Sequence, residues 1–205
     1  MYALVESGSI TKYFNQPKGF TLGDLQYPAD IFTKWSVAEK EAIGIYEVIT
    51  DSTNKKDEKW YINTNESYTF ADNQVTKSWG TATAKAHADT TWTQEDIDNL
   101  SDAGDITAGD IKTRGLKYSL IQDLKSQVAN KLAKTDWYVI RNTEKSTAIP
   151  SAISSHRDAV RTKQAEMETA ITNASDTPAL ETLYTYTTTD GVQSRPLGEL
   201  PILEL

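Results

Sequence analysis

The chain has no cysteine among its 205 residues, which excludes disulfide frameworks, thiolate zinc sites and thiol nucleophiles. The redox compartment stays open, because a chain without thiols suits any of them. Histidine is nearly as scarce, with only His87 and His156. Ser155 and Asp158 flank His156, but neighbours along one helix do not converge as a nucleophile, a base and an orienting acid must. No apolar run approaches the ~18 residues of a membrane span. Residues 1–7 lack a basic start and are broken by Glu6, so no signal peptide and no membrane insertion are expected. A basic stripe is missing too: the net charge is −8, with lysines and arginines scattered among acids, and a phosphate backbone needs the opposite sign locally. Nucleic acid is therefore not an expected partner.

Apolar residues make up 38% of the chain, which is lean for this length and favours thin subdomains or surfaces completed by a partner. No Gly-x-Gly-x-x-Gly, Walker or Gly-x-Ser-x-Gly pattern occurs. The acidic clusters at residues 51–58 and 96–110 do not make calcium loops: Lys55 and Lys56 intrude in the first, and Leu100 and Ala103 break the ligand spacing of the second. The pairs Asp57-Glu58 and Glu95-Asp96 are neighbours in sequence, whereas glycoside hydrolysis needs two carboxyls facing each other across a cleft. The sequence thus offers no catalytic residue, metal ligand set or cofactor, and a non-enzymatic role is expected.

Four segments are expected instead, in an α+β chain: a small antiparallel β subdomain with one short helix at 1–84, a connector at 85–115, a helical hairpin at 116–175 and a short C-terminal extension at 176–205. In the first, Tyr2 to Val5 and Ile10 to Phe14 flank a Ser7-Gly8-Ser9 turn, and short strands follow at Phe20 to Leu22 and Leu25 to Tyr27. Ser36 and Glu39 have capping-box spacing for a short helix that Gly44 closes. Strands are then expected at 45–49, 59–62, 67–70 and 74–84, with the alternation of Trp60 and Ile62, and of Tyr68 and Phe70, predicting sheets wet on one face. In the connector Thr93 is placed to cap a helix carrying Ile97 and Leu100, while Gly104, Gly109 and Gly115 punctuate what surrounds it.

From Leu116 the apolar spacing becomes helical. Leu116, Leu120, Ile121, Leu124, Val128 and Leu132 form one stripe, Asp136 starts a turn carrying Trp137, Val139 and Ile140, and Pro150 opens a second helix whose apolar face is Ile153, Val160, Met167 and Ile171. Two such stripes joined by a short loop predict an αα-hairpin, with His156 at its seam. In the extension Thr177-Pro178 starts a helical turn, a strand is expected within 183–189, Asp190-Gly191 signals a type I′ turn, and residues 202–205 make a sticky apolar end.

Five tryptophans and ten tyrosines supply stiff, amphipathic contact area of the kind interfaces use. Trp35, Trp60 and Trp137 also suit anchors of small cores, while Trp79 and Trp92, in Thr- and Ala-rich surroundings, are expected to meet another subunit. Arg157 and Arg161 lie on one helical face and suit forked contacts to acids, with Glu144 the first expected partner. The candidate interface is therefore Trp79, Trp92, Trp137, Tyr138, Arg157 and Arg161.

Residues 116–175, with the leucine-rich helix, the Thr135-Asp136-Trp137 step and the spaced Arg157 and Arg161, resemble the helical C-terminal segment of bacteriophage tail fibre assembly chaperones. His156 stands where an aromatic is often found in that segment. The opening of the chain, with Tyr2-Ala3-Leu4-Val5, Gln26-Tyr27-Pro28, Trp35 and residues 42–46, is similar to that of tail-region proteins of tailed phages. The resemblance implies a phage tail or baseplate structural protein, made in the host cytoplasm and held in the virion tail, that connects fibre or adhesin components. Its implied partners are tail, baseplate or fibre proteins, or a second copy of the chain. A tail fibre assembly chaperone that leaves before the virion is complete is the alternative. The exposed aromatics alone would also suit a carbohydrate-binding module.

Overall fold

The computed structural model describes residues 1–203 and is α+β, as the sequence predicts. It divides into two compact units, residues 1–83 and residues 84–205. Residues 85–115, read above as a connector, belong to the second.

The first unit is built on a five-stranded sheet. Strands β1 (Tyr2–Glu6) and β2 (Ser9–Phe14) form a hairpin in which Ser7 and Gly8 both take positive φ, the geometry a two-residue type I′ turn demands. β3 (Phe20–Leu22) and β4 (Leu25–Tyr27) pair as a second hairpin. Helices α1 (Ile31–Lys34) and α2 (Val37–Ala42) follow. The expected capping box is present at α2: the Glu39 amide donates to Ser36 Oγ, and the Ser36 amide donates to the Glu39 carboxylate at 2.8 Å. Gly44 then has φ +79°, and a Cβ there would stand 2.4 Å from the Val5 carbonyl oxygen, so only glycine lets the chain turn this tightly against β1.

β5 (Ile45–Thr50), β6 (Tyr61–Ile62), β7 (Ser67–Ala71), β8 (Gln74–Ser78) and β9 (Thr83–Ala84) complete the strands of this region. The sheet order is β2-β1-β5-β8-β7, with β7 and β8 joined through the positive-φ pair Asp72 and Asn73. Here the structure corrects the antiparallel expectation: β5 and β8 run parallel, Val48 opposite Val75, because the long stretch between them brings the chain back in its starting direction. The strand expected at 59–62 shrinks to two residues, since the Trp60 and Tyr61 amides both donate to the Asp57 carbonyl and hold a turn.

On β7 Tyr68 and Phe70 alternate with exposed Ser67, Thr69 and Ala71, as expected, whereas β1, between β2 and β5 in the sheet, is covered on both faces. Leu4 joins Phe14, Phe20, Ile31, Phe32 and Ile45 on one face, while Ala3 and Val5 join Val75 on the other, with Ile10, Tyr46, Val48 and Phe70 packed around them. Both faces are covered because α1 and the β3–β4 hairpin lie on one, and the sheet curls until its edges meet, Tyr13 against Tyr68 with ring centroids 4.8 Å apart.

In the second unit β10 (Thr90–Thr91) pairs with β11 (Ile111–Thr113), and α3 (Gln94–Asp98) lies between them in sequence. Thr93 does cap α3, sharing a capping box with Asp96, and Leu100 falls beyond the helix end. α4 (Leu116–Ala133), α5 (Asp136–Lys145) and α6 (Ser151–Asn173) follow, then α7 (Thr177–Tyr184) and a last hairpin of β12 (Thr187–Thr189) and β13 (Val192–Ser194) across Asp190-Gly191. The strand expected within 183–189 is therefore shortened, because α7 runs on to Tyr184. α4 and α6 form the hairpin that periodicity predicted, antiparallel: Lys117 at the start of α4 donates to the Thr172 carbonyl near the end of α6. Leu120, Leu124 and Val128 are buried on α4, and all four predicted positions, Ile153, Val160, Met167 and Ile171, are buried on α6, with Leu180 of α7.

The start of α4 is closed from a distance. Its N-cap is Gly115, which has no side chain to cap with; instead the Leu116 and Lys117 amides donate to the Ala86 and His87 carbonyls at 3.0 and 2.9 Å, and the Gly115 amide donates to Asp89 at 2.8 Å. The buried Thr177 hydroxyl donates to the Lys85 carbonyl. The supposed connector is thus stitched to two helix starts. At the other end Ile202 is 79% exposed and Leu203 half-buried; Glu204 and Leu205, which complete the expected sticky end, lie outside the described residues.

Candidate functional site

The Thr135-Asp136-Trp137-Tyr138 step is where the candidate residues converge. α4 ends, the chain turns through Thr135, and α5 begins at Asp136. From α6, Arg157 reaches across: its Nη1 donates to the Leu132 carbonyl at 2.9 Å, to Thr135 Oγ1 at 2.7 Å and to Asp136 Oδ1 at 2.8 Å. Thr135 is 2% exposed, and its hydroxyl donates onward to the Leu132 carbonyl, so both its donor and acceptor roles are filled. The Arg157 side chain is 11% exposed and ties the end of α4, the start of α5 and the start of α6 into one node. Glu144, the partner expected from sequence, is not the one used, because it lies toward the far end of α5 whereas Asp136 opens that helix beside Thr135. Arg161 pairs with Asp158 on its own helix at 3.3 Å and stays half exposed, outside the node.

What the node holds in place is an apolar, aromatic surface. Trp137 is 49% exposed and Ile140 56%, with Val139 also exposed. Trp137 and Tyr138 lie with centroids 3.8 Å apart, and the Arg141 guanidinium sits 4.7 Å from the Trp137 ring centre and 5.3 Å from that of Tyr138. Arg141 was not singled out by the sequence reading, although its place one helical turn after Trp137 was the available signal. Its Nε is buried with no hydrogen-bond partner among the described residues. Together these side chains make a platform with one cation at its edge.

The other two tryptophans are already engaged within the chain. In the first unit the Trp79 ring has Lys55 and Lys77 at 5.0 and 4.9 Å, and Lys77 is itself paired with Glu66 at 2.9 Å. In the second, Lys112 lies 4.6 Å from the Trp92 ring and pairs with Asp96. Both indoles are half-buried.

In the 96–110 cluster Asp96 and Asp110 serve as local caps. Asp110 accepts from the Thr107 amide and hydroxyl, which lowers its pKa. Asp96 is lowered further, from 3.8 to about 2, first by the Lys112 hydrogen bond and then by the Thr93 amide and hydroxyl. A carboxylate depressed in this way favours the folded form above its unfolded value, and that contribution disappears as pH falls through about 2. NMR titration should therefore find the Asp96 carboxyl ionising near pH 2, and Lys112→Met should move it up toward 3.8. An Asp96 that titrates at the ordinary value in the intact chain contradicts the assigned pairing.

Among the described residues no group of three or more His, Asp or Glu side chains is placed to hold a metal ion, and no helix is long and apolar enough to cross a membrane. No family model matches the chain, and no curated protein or solved structure is significantly similar to it.

Proposed function

We propose that this protein is a non-enzymatic structural component of a phage tail or baseplate, a connector that holds a fibre or adhesin protein through the α5 surface. One observation carries the reading: Trp137, Val139 and Ile140 are solvent-exposed on a helix whose first turn is anchored by Arg157. A short helix showing its large apolar side chains to water gains nothing by folding that way alone, whereas a rigid aromatic platform with an arginine at its edge is what binding hot spots use. The resemblance of residues 116–175 to the helical segment of tail fibre assembly chaperones supports placing that partner among tail proteins. In this reading the protein is made in the host cytoplasm and resides in the virion tail.

Mass spectrometry of purified particles tests the role. Stoichiometric presence supports it; absence from particles together with co-purification with a fibre protein overturns it in favour of a departing chaperone. The surface is tested separately by Trp137→Ala combined with Ile140→Ala. Loss of two exposed anchors should weaken capture of the co-purifying tail protein by about 2 kcal/mol, or roughly thirtyfold. The unfolding free energy from urea titration should stay within about 0.5 kcal/mol of the parent, since neither side chain is buried. Unchanged capture would remove α5 from the interface.

A further inference from the structure

In the first unit the chain between β2 and β3 surrounds a half-open cavity of about 500 Å³, lined by residues 12–19. The base of this loop is fixed by the protein core. Phe14 at its start and Phe20 just past its end are both buried, with ring centroids 4.8 Å apart, and each also meets Phe32. At the far end a Cβ on Gly19 would lie 3.2 Å from the Tyr27 carbonyl oxygen, so the loop backbone rests directly on β4. The cavity is therefore held open by packed elements.

Its lining has an unusual charge. The chain carries 29 acids against 21 lysines and arginines, yet the lining contains Lys12 and Lys18 and no carboxylate. Neither lysine is in an ion pair among the described residues. Lys12 lies over the Phe14 ring, 5.3 Å from its centre, and two ammonium groups without a carboxylate partner in one concavity select for an anion. The remaining polar side chains are the carboxamides of Asn15 and Gln16, each both donor and acceptor; the Tyr13 ring is turned to the other face of β2, against Tyr68. Carboxamides suit hydroxyls, and the volume lies within the range of about 300–1,000 Å³ typical of small-molecule sites. A bare inorganic anion would leave most of that space and both carboxamides unused.

We propose that residues 12–19 form a binding site for a carboxylated sugar, a uronic acid unit of an acidic polysaccharide, with Lys12 and Lys18 on the carboxylate and Asn15 and Gln16 on the ring hydroxyls. The site is in the first unit and independent of the α5 reading, so either can fail alone.

The test is a titration of the ¹⁵N-labelled full chain with D-glucuronate, D-glucose and inorganic phosphate, read by amide shifts. Glucuronate should give saturable shifts centred on residues 12–19, with glucose and phosphate each binding at least about tenfold more weakly. Lys12→Ser with Lys18→Ser should weaken glucuronate by about tenfold or more at an unchanged melting temperature. Gln16→Ala, which keeps the charge, should weaken glucuronate and leave phosphate unaffected, and it gives a second readout if the lysine variant folds poorly. Absence of saturable shifts with glucuronate, or equal binding of phosphate and glucuronate, overturns the proposal.

Discussion

Gly115→Ala is expected to destabilise the second unit by about 3 kcal/mol or more, an effect at the upper end of what one methyl group causes. The added carbon would stand 2.3 Å from the Ala88 carbonyl carbon and oxygen and 2.8 Å from the His87 oxygen. Those atoms are backbone and have no rotamer to escape into. The segment they belong to supplies the acceptors for the first amides of α4, so relief by displacement would uncap that helix. Urea unfolding followed by helical circular dichroism measures the loss. A midpoint equal to the parent's would show that residues 86–89 do not lie on the start of α4.

Arg157→Ala is expected to cost about 2–3 kcal/mol, the scale of charge-assisted hydrogen bonds lost from a buried site. The substitution strips the buried Thr135 hydroxyl of its donor and frees the first turn of α5. Arg157→Lys should recover only part, because all three contacts are made from Nη1 and the lysine ammonium, one atom closer to the backbone, stops short of that position. A double-mutant cycle with Asp136→Asn should assign less than about 1 kcal/mol to that pair, since the Asp136 carboxylate is 53% exposed and screened by water. Most of the penalty then comes from the Leu132 and Thr135 contacts. Because Trp137 follows the node directly, its fluorescence should shift in Arg157→Ala; a variant as stable as the parent, with unchanged emission, would reduce Arg157 to a surface ion pair.

These two sites differ in how visible they were in the sequence. Arg157 was singled out, and so was the Thr135-Asp136-Trp137 step it holds, but the pairing was placed on Glu144. Sequence spacing shows which residues share a helical face, whereas the partner depends on how α6 crosses the end of α4. In the sequence Gly115 shows only as punctuation. Its true constraint is the backbone of residues 87 and 88 passing within a bond length or two of where a side chain would begin. Arg141 is not distinctive in the sequence, because a cation one turn after an aromatic is common on solvated helices, and only the stacked geometry marks it.

Local and periodic features were legible from the chain alone: the Ser36–Glu39 and Thr93 caps, the two-residue turns at Ser7-Gly8, Asp72-Asn73 and Asp190-Gly191, and the buried stripe of Ile153, Val160, Met167 and Ile171. Each depends on atoms within a few residues or on a repeat of fixed period, so the amino-acid order carries the whole constraint. The parallel pairing of β5 with β8, the two-sided burial of β1, the remote capping of α4 by residues 86–89 and the Arg157 node were decided by tertiary structure. All four bring together groups distant in sequence, and which backbone amide or guanidinium finds which acceptor is settled only when the sheet curls and the helices pack.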